Sequence, residues 1–310
     1  MCGKRCGEEW GRGRPSETAT STRLERFDTT YIPSPIPRLF RHLFRNIGDT
    51  PPGIPWPELG SRFMRLTVLG GCGAWPTAAQ ACSGYVVEDE GFRLLVDPGY
   101  ATLPRLLAHL SVDAVDAVLL SHGHPDHCAD LNPLLRARGL SDDPPPPLPV
   151  FAPHGAADAV LALDKPSMLA DAYELHEFSP GDRMDIGPFR TDTWLLPHFV
   201  PNAGIRLSPS RTTLAYTGDT GPSPDIPRLA EGADLFLSEA TYLRQVPAPG
   251  DAPYLLTALL AGQYARQAGA QRLLLTHLWP GTDPSDALRT AAETFSGPVD
   301  VAVPDLAIAL

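Results

Sequence analysis

The sequence from Met64 to Leu310 predicts an α+β domain, because short strand-like and helix-like segments alternate along it. Strand-like runs occur in the first half and again in the second, which indicates two sheets with helices outside them, a four-layer sandwich. In chain order, strands are predicted over 64–70, 83–88, 92–97, 116–121, 148–152, 189–197, 203–207, 212–218, 234–238, 272–276 and 298–303. Helices are predicted over 101–110, 126–138, 154–163, 223–231, 256–268 and 284–295.

Residues 1–63 differ in composition from the rest of the chain. They contain eight of the 35 prolines and ten Lys/Arg against seven Asp/Glu, whereas the remainder carries 15 basic and 29 acidic residues. Proline-rich sequence without periodicity buries too little apolar surface to offset the cost of ordering it. We therefore predict an extension over 1–63, either disordered or preceding the true start at Met64, and one folded domain over 64–310.

The composition predicts a cytoplasmic protein without membrane spans. No apolar run approaches the roughly 18–20 residues that a bilayer requires. The first residues carry charges and glycines instead of the apolar core of a signal peptide. Five cysteines, an odd number, give no disulfide framework, and Cys2 and Cys6 are expected to be free thiols rather than a metal-binding pair.

Residues 122–127 contain three histidines and one aspartate in the order H-x-H-x-D-H. They follow the apolar run 117–120, a predicted buried strand, so their side chains can converge in a tight loop at its end. Neutral imidazole nitrogens and carboxylate oxygens are good ligands for zinc and other borderline divalent metals. A lone histidine is more often a surface or packing residue, but this density of ligands predicts a metal site.

Three further candidate ligands lie downstream. His198, Asp219 and His277 each come directly after an apolar, strand-like run. Titratable residues that follow strands in this way can meet at one edge of a sheet. Together with the first cluster they make seven ligands, too many for one tetrahedral zinc and suited to two ions that share a carboxylate.

The order H-x-H-x-D-H, His, Asp, His resembles the five-motif signature of the metallo-β-lactamase superfamily, over nearly all of 64–310. The resemblance implies a four-layer αββα sandwich and a metal-dependent hydrolase. It also implies two divalent metal ions, expected to be zinc, with manganese or iron as alternatives. His122, His124 and His198 would hold the first ion, Asp126, His127 and His277 the second, and Asp219 would bridge both.

Two other carboxylates match supporting positions. Asp97 lies in the first motif of the superfamily, where an aspartate usually supports the site without binding metal. Glu239 is expected to orient a ligand histidine, with a purely structural role in its loop as the alternative. A water shared by two cations is acidified enough to provide hydroxide near neutral pH, and Asp126 is predicted to take its proton.

Within the superfamily the chain resembles the ribonuclease Z-like phosphodiesterases, through T-G-D-T at 217–220 and L-L-T-H at 274–277. The tRNA-processing members carry a long arm between the third-motif histidine and the bridging aspartate, and too few residues separate His198 from Asp219 for such an arm. The acidic domain also opposes tRNA binding. We therefore expect a small-molecule substrate and no tRNA, and a homodimer is compatible with the sequence.

Leu255 is a second departure from that family. The relatives place a histidine, thought to protonate the leaving group, in an H-[SL]-T segment, and here that segment has leucine at its first position. Leucine cannot transfer a proton. Either Tyr254 or His154 takes over this role, or the substrate has a leaving group that departs unaided.

Three functions follow from these observations. The favoured one is hydrolysis of a small phosphodiester, such as a cyclic nucleotide, on two metals. The alternative is hydrolysis of an ester, lactone or thioester on the same metals. A metal-binding protein whose catalysis has lapsed is the third, and the complete ligand set argues against it.

Overall fold

The structure is a computed structural model that describes residues 64–209 and 211–310. The predicted extension over 1–63 lies outside the described residues, so that boundary stays a prediction. None of the helices in the described part combines the length and the apolar character needed to cross a bilayer.

Two seven-stranded sheets form the centre of the described chain. Their strands are β1 (Arg65–Gly70), β2 (Gly84–Asp89), β3 (Phe92–Val96), β4 (Ala117–Leu119), β5 (Leu148–Pro153), β6 (Tyr173–Phe178), β7 (Arg183–Ile186), β8 (Phe189–Leu196), β9 (Asn202–Ser208), β10 (Leu214–Tyr216), β11 (Leu235–Glu239), β12 (Leu273–Thr276), β13 (Val299–Val301) and β14 (Ala307–Ala309). The first sheet has the order β14-β1-β2-β3-β4-β5-β6, and the second has the order β13-β12-β11-β10-β9-β8-β7.

Helices cover the outer face of each sheet. They are α1 (Thr102–Leu107), α2 (Pro125–Cys128), α3 (Leu131–Gly139), α4 (Asp158–Leu161), α5 (Pro166–Leu169), α6 (Ile226–Leu229), α7 (Ala258–Ala268) and α8 (Pro284–Ala292), with a 3₁₀ turn at Val112–Ala114. The longest, α7, begins at Thr257, whose side chain accepts a hydrogen bond from the Leu260 N–H, and ends at Gly269 in the left-handed conformation.

Three apolar layers hold this architecture together. The central layer joins the two sheets, with Leu66 and Tyr85 from the first packed among Ile205 and Leu237 from the second. A second layer packs α6, α7 and α8 on the second sheet, and a third packs α1 and α3 on the first. Burying both faces of each sheet gives helix, sheet, sheet and helix in succession, so the predicted αββα sandwich is confirmed.

Several predicted elements differ from the observed ones. The strands β6, β7 and β14 were not predicted, because β6 and β7 are charged edge strands and β14 spans only three residues. The helix predicted over 126–138 is two helices, α2 and α3, interrupted where the Asp130 carboxylate accepts the Leu103 N–H. The helix predicted over 154–163 shortens to α4, since Gly155 lies in the left-handed region at φ 73°.

The sheet pairing brings the candidate ligands to one edge. In the first sheet β3 and β4 are parallel, and in the second sheet β10, β11 and β12 are parallel. Parallel strands end at the same edge, where α/β sheets commonly bind ligands. The loops after β4, β10 and β12 therefore carry their histidines and aspartates to a common region.

Candidate metal centre

Asp97 fixes the loop that follows β4. Its buried carboxylate accepts hydrogen bonds from the Ser121 N–H at 2.7 Å and the Ser121 hydroxyl at 2.6 Å. The Tyr216 hydroxyl donates to it at 2.8 Å, and the Nδ1 of His127 lies 2.9 Å away. Asp97 itself has φ 49°, a left-handed conformation that is uncommon for a non-glycine residue and typical of functional sites. It supports the site without joining either group of candidate ligands, as its motif implied.

Four histidines are oriented by hydrogen-bond partners at their Nδ1 atoms. Their Nε2 atoms are then free to face the other candidate ligands. A polar partner on one ring nitrogen fixes the tautomer and the orientation of the ring. The Nδ1 partners are Ser121 Oγ for His122 (3.0 Å), Asp97 Oδ2 for His127 (2.9 Å), the Tyr254 carbonyl for His198 (3.0 Å) and Thr241 Oγ1 for His277 (2.9 Å).

The first donor group consists of His122, His124, His198 and Asp219. The Nδ1 of His124 lies 3.1 Å from the Nε2 of His122 and 3.0 Å from the Nε2 of His198. Asp219 Oδ2 lies 3.8 Å from the first of these Nε2 atoms and 3.7 Å from the second. Ligands about 2.0–2.1 Å from a tetrahedral zinc are about 3.3 Å from one another, so this group has the spacing of a metal site.

The second donor group consists of Asp126, His127, His277 and, again, Asp219. The Nε2 of His277 lies 3.2 Å from Asp126 Oδ2 and 3.0 Å from Asp219 Oδ2. The Nε2 of His127 lies 3.2 Å from Asp219 Oδ1 and 3.8 Å from Asp126 Oδ2. Asp219 thus directs its carboxylate toward both groups, as expected of a bridging ligand.

Two buried atoms in this region have no hydrogen-bond partner among the described residues: His127 Nε2 and Asp219 Oδ1. They lie 3.2 Å apart, but the geometry between them is not that of a hydrogen bond. Burying an imidazole nitrogen and a carboxylate oxygen without hydrogen bonds is costly even where their charges attract, and a cation between them would remove that cost. The donor set therefore fits divalent metal ions.

Burial prepares the histidines of the first group as ligands. Desolvation lowers the pKa of His122 well below its ordinary value, and it also lowers those of His124 and His198. A neutral imidazole has a free lone pair and binds a metal without first losing a proton.

The second group is prepared differently. Burial alone would lower the pKa of His127 and His277, but Asp219 and Asp126 reverse this effect and hold both pKa values well above the ordinary one. Burial would likewise raise the pKa of Asp126 and Asp219, but the two imidazoles hold both carboxyl pKa values low. Without a cation these residues therefore form ion pairs.

The glycine-rich loop after β1 supports the second group. The Ala74 N–H donates to Asp126 Oδ2 at 2.7 Å. A Cβ on Gly73 would lie only 2.7 Å from the ring of His277, so a larger residue there would displace that ring. His277 itself adopts φ 56° as the chain leaves β12. This loop and the strained turn together fix the positions of Asp126 and His277.

The expectation that Glu239 orients a ligand histidine is wrong, because its carboxylate binds two backbone N–H groups and so has the structural role given as the alternative. Its Oε1 accepts the Thr220 N–H at 3.0 Å, and its Oε2 accepts the Leu256 N–H. Burial, followed by the charge of Asp219, raises the pKa of Glu239 to about 8. The carboxyl group thus ties the turn after the bridging aspartate to the segment that contains Leu255.

The candidates for a proton donor lie in different places. The Tyr254 carbonyl accepts from His198, and the Tyr254 ring packs against Phe199 with centroids 4.7 Å apart, so this residue borders the first group. His154 lies after β5, with 66% of its side chain exposed and its Nδ1 3.5 Å from Glu177. Leu255 lies between two anchored backbone groups, the Tyr254 carbonyl and the Leu256 N–H.

Sequence reasoning missed three supporting groups: the Thr241 hydroxyl, the Ala74 N–H and the Tyr254 carbonyl. Two of them are backbone atoms, which every residue type provides. Thr241 had a weak signal, because it closes the segment S-E-A-T at 238–241 that resembles the ribonuclease Z-like enzymes.

Comparison with known proteins identifies the class. Residues 92–278 match the model of the Beta-lactamase superfamily domain. The chain therefore belongs to the metallo-β-lactamase superfamily, whose members include metal-dependent hydrolases. Its histidine and aspartate groups are candidate metal ligands of that class.

Among individual proteins, the chain is similar to the probable metallo-hydrolase YhfI of Bacillus subtilis, with 32% identity over 77% of this chain and 97% of YhfI. The crystal structure of YhfI, a metallo-β-lactamase fold protein, matches with a TM-score of 0.73 over 80% of this chain and 100% of YhfI. The uncharacterized protein Rv1339 of Mycobacterium tuberculosis is 33% identical over 78% of this chain and 90% of its own length. Ribonuclease Z of Myxococcus xanthus is 28% identical over 77% of this chain and 95% of its own length.

Proposed function

We propose that this protein is a cytoplasmic phosphodiesterase that hydrolyses a small phosphodiester, such as a cyclic nucleotide, with two divalent metal ions, zinc being the expected metal. The observation that carries the proposal is the pair of donor groups sharing Asp219. In this assignment His122, His124 and His198 would hold one ion, and Asp126, His127 and His277 would hold the other.

Two neighbouring cations supply Lewis acidity and neutralise the charge of a phosphodiester. The chain's own residues keep the donors in position. Asp97 and Thr241 fix the rings of the second group, and the Tyr254 carbonyl fixes His198 in the first. Because each ring has a defined partner, little reorganisation is needed when ions and substrate bind.

Asp126 is proposed to accept the proton of the attacking water. Its Oδ2 is held by the Ala74 N–H and by His277, which fixes the orientation of the carboxylate. The two neighbouring imidazoles hold the pKa of Asp126 low, so it stays negatively charged across neutral pH but is a weak base, and its position rather than its basicity supports this role. An oriented carboxylate can then accept a hydrogen bond from water as the O–H bond weakens.

The lack of a proton donor at position 255 restricts which leaving groups a substrate can have. Leu255 occupies the position of the missing histidine and offers no proton. A substrate whose leaving group is stable as an anion, such as an aryl oxide, needs no such donor. The same observation supports the second candidate function, hydrolysis of a thioester, because a thiolate also departs without protonation. A cyclic nucleotide, whose ribose oxygen is a poor leaving group, would need the proton from Tyr254 or His154 instead.

A relative supports phosphodiester chemistry, and two features of this chain favour a small substrate. A ribonuclease Z acts on a phosphodiester bond, and this chain shares 28% identity with one of them. The connection between His198 and Asp219, however, consists mainly of β9 and β10. It therefore has no room for the long arm with which the tRNA-processing enzymes are expected to bind tRNA. The residues after position 63 include 29 acidic and 15 basic ones. This negative net charge repels the phosphates of tRNA and favours a small ligand.

The test is a panel of substrates assayed with metal-loaded protein: bis-p-nitrophenyl phosphate, cyclic nucleotides, lactones and thioesters. We expect the phosphodiesters to be hydrolysed fastest and activity to disappear after chelation and return with zinc or manganese. Preferential turnover of thioesters or lactones would replace the proposal with the second candidate. No turnover of any of these by fully metallated protein would favour a metal-binding protein without catalysis.

A further inference from the structure

Three aromatic side chains, Trp75, Tyr242 and Trp279, form a cluster that we call the aromatic platform. The rings of Trp75 and Trp279 pack edge to face with centroids 5.1 Å apart, and Tyr242 lies nearly parallel to Trp279 at 5.5 Å. Trp75 is 48% exposed and Trp279 is 37% exposed. Large apolar rings that pack against each other yet stay open to solvent are typical of a binding surface.

The platform is attached to the loops that hold the second donor group. Trp75 directly follows Ala74, whose N–H donates to Asp126 at 2.7 Å. The N–H of Trp279 donates to the carbonyl of Thr241 at 3.1 Å, and the hydroxyl of Thr241 orients a ligand histidine. Each tryptophan is thus one short step along the backbone from a group that positions the second donor group.

The backbone around the platform is restrained. Trp75 and Trp279 are each followed by proline, Pro76 and Pro280, which fixes φ at that position. The Gly73 N–H donates to the carbonyl of Leu278 at 3.0 Å, which joins the two loops directly. The two tryptophans are therefore presented together, at a small entropic cost for binding a ligand.

The chemistry of the platform indicates its ligand. It offers aromatic rings and no charged group, and only Tyr242 among its three side chains carries a hydroxyl. An open platform suits a flat group that is covered on its face and hydrated at its edges, which describes a nucleobase. An acyl chain would gain more from an enclosed apolar pocket. Stacking of a base on an aromatic side chain usually changes affinity about 5- to 150-fold.

Resting on the proposed phosphodiesterase function, we propose that the aromatic platform stacks against the nucleobase of a nucleotide substrate whose phosphodiester lies at the donor groups. Trp75 and Trp279 are then residues that determine specificity. They select nucleotides over phosphodiesters that lack a base.

The first experiment measures binding by calorimetry to the zinc-loaded protein, with adenosine 5′-monophosphate and ribose 5-phosphate as probes. These two differ only in the base. We expect the nucleotide to bind at least about 10-fold more tightly. In Trp75→Leu this ratio should fall toward one, while the affinity for ribose 5-phosphate stays unchanged. Equal affinities in the wild type, or an unchanged ratio in Trp75→Leu, would overturn the proposal.

Phe199→Leu is the matched control. Phe199 is also exposed, at 52%, and packs on Tyr254, but it borders the first donor group. It should retain the full preference for the nucleotide. If Phe199→Leu rather than Trp75→Leu loses the preference for the nucleotide, the base binds beside the first donor group. A change of oligomeric state in Trp75→Leu with the preference intact would make the platform a contact between copies of the chain. Either result contradicts the proposal.

A kinetic comparison separates this proposal from the one on which it rests. Adenosine 2′,3′-cyclic phosphate and glycerol 1,2-cyclic phosphate contain the same cyclic phosphodiester with and without a base. We expect Trp75→Leu to lower kcat/KM about 10-fold for the first and not for the second, mainly through KM. Binding preference without any hydrolysis would reject the phosphodiesterase alone. Hydrolysis of both without a base preference would reject the platform alone.

Discussion

The two donor groups share Asp219 but are prepared in opposite ways. In the first group, burial leaves the three histidines neutral before any cation arrives. In the second group, carboxylates keep protons on His127 and His277. A cation entering the second group must therefore displace protons, whereas one entering the first need not. Metal affinity of the second group should accordingly depend more steeply on pH.

The groups also differ in access. His124 of the first group is partly exposed, whereas every member of the second is buried. The second group is also enclosed by the loop that contains Gly73 and Ala74. We expect the second group to exchange its ion slowly and the first to exchange more freely.

Replacing the shared carboxylate should have the largest effect. In Asp219→Ala both groups lose a ligand, so metal content should fall from about two ions per chain and activity should fall on the order of 10³-fold. Elemental analysis and phosphodiester turnover measure the two effects. Asp185→Ala, at an exposed position on β7, is the control and should match the wild type. Full metal loading of Asp219→Ala would show that the groups do not share a ligand.

The second largest effect is expected from a substitution at Leu255, which lies next to the first donor group because the preceding Tyr254 carbonyl binds His198. Leu255→His should increase hydrolysis of alkyl phosphodiesters by up to about 10²-fold, because a general acid helps poor leaving groups most. Aryl phosphodiesters should change little. Leu259→His, at the second residue of α7, controls for adding a histidine nearby. If correctly folded and metallated Leu255→His shows no selective gain, the proton comes from elsewhere.

A smaller effect should be confined to the second group. Thr241→Val removes the Nδ1 partner of His277, and loss of such a partner typically weakens metal binding about 10- to 100-fold. Titration with a competing chelator should show one weakened and one normal site. Thr290→Val, which removes a buried hydroxyl on α8, should leave both sites normal. Equal weakening of both sites would mean that the two groups are not independently supported.

The smallest effect is a difference in pH dependence, measured by melting temperature in chelator-treated protein. The pKa of His277 is raised, so its stabilisation is complete below the unfolded pKa near 6.5 and is lost as pH rises through the folded value. The pKa of His198 is lowered, so stability is lost as pH falls below about 6.5.

Consequently His277→Asn should destabilise the metal-free protein more at pH 6 than at pH 9. His198→Asn should instead be less damaging at pH 5 than at pH 7. Differences of about 3 °C would be expected for a free-energy change of about 1 kcal/mol in a domain of this size. The same pH trend in both variants would contradict the opposite shifts of the histidine pKa values in the two groups.

Much of this arrangement was predictable because the ligands lie in short motifs at strand ends. His122, His124, Asp126 and His127 fall within one loop, so local sequence alone places them together. The alternation of apolar strands and helices indicated a mixed α and β chain, and the αββα sandwich followed from the resemblance to the metallo-β-lactamase superfamily. The edge strand β6 did not, because its exposed glutamates and histidine mask the alternation that marks a strand.

The supporting contacts were harder to predict for a physical reason. A backbone N–H or carbonyl, such as those of Ala74 and Tyr254, is available in every residue, and only the fold decides which one reaches a ligand. Glu239 illustrates the converse: its carboxylate marks a buried polar position, but the sequence does not say whether it faces a histidine or the backbone.

The hydrogen bond between Tyr216 and Asp97 has a consequence for the mechanics of the molecule. Tyr216 belongs to the second sheet, while Asp97 follows β3 of the first, so this bond fastens one sheet to the other at the site. The same carboxylate also holds Ser121 and His127 on the side of the first sheet, so one group serves both the contact between the sheets and the loop that carries the ligands. The amide of Ser121 is buried and donates to this carboxylate, so its exchange with solvent reports how often the loop after β4 opens.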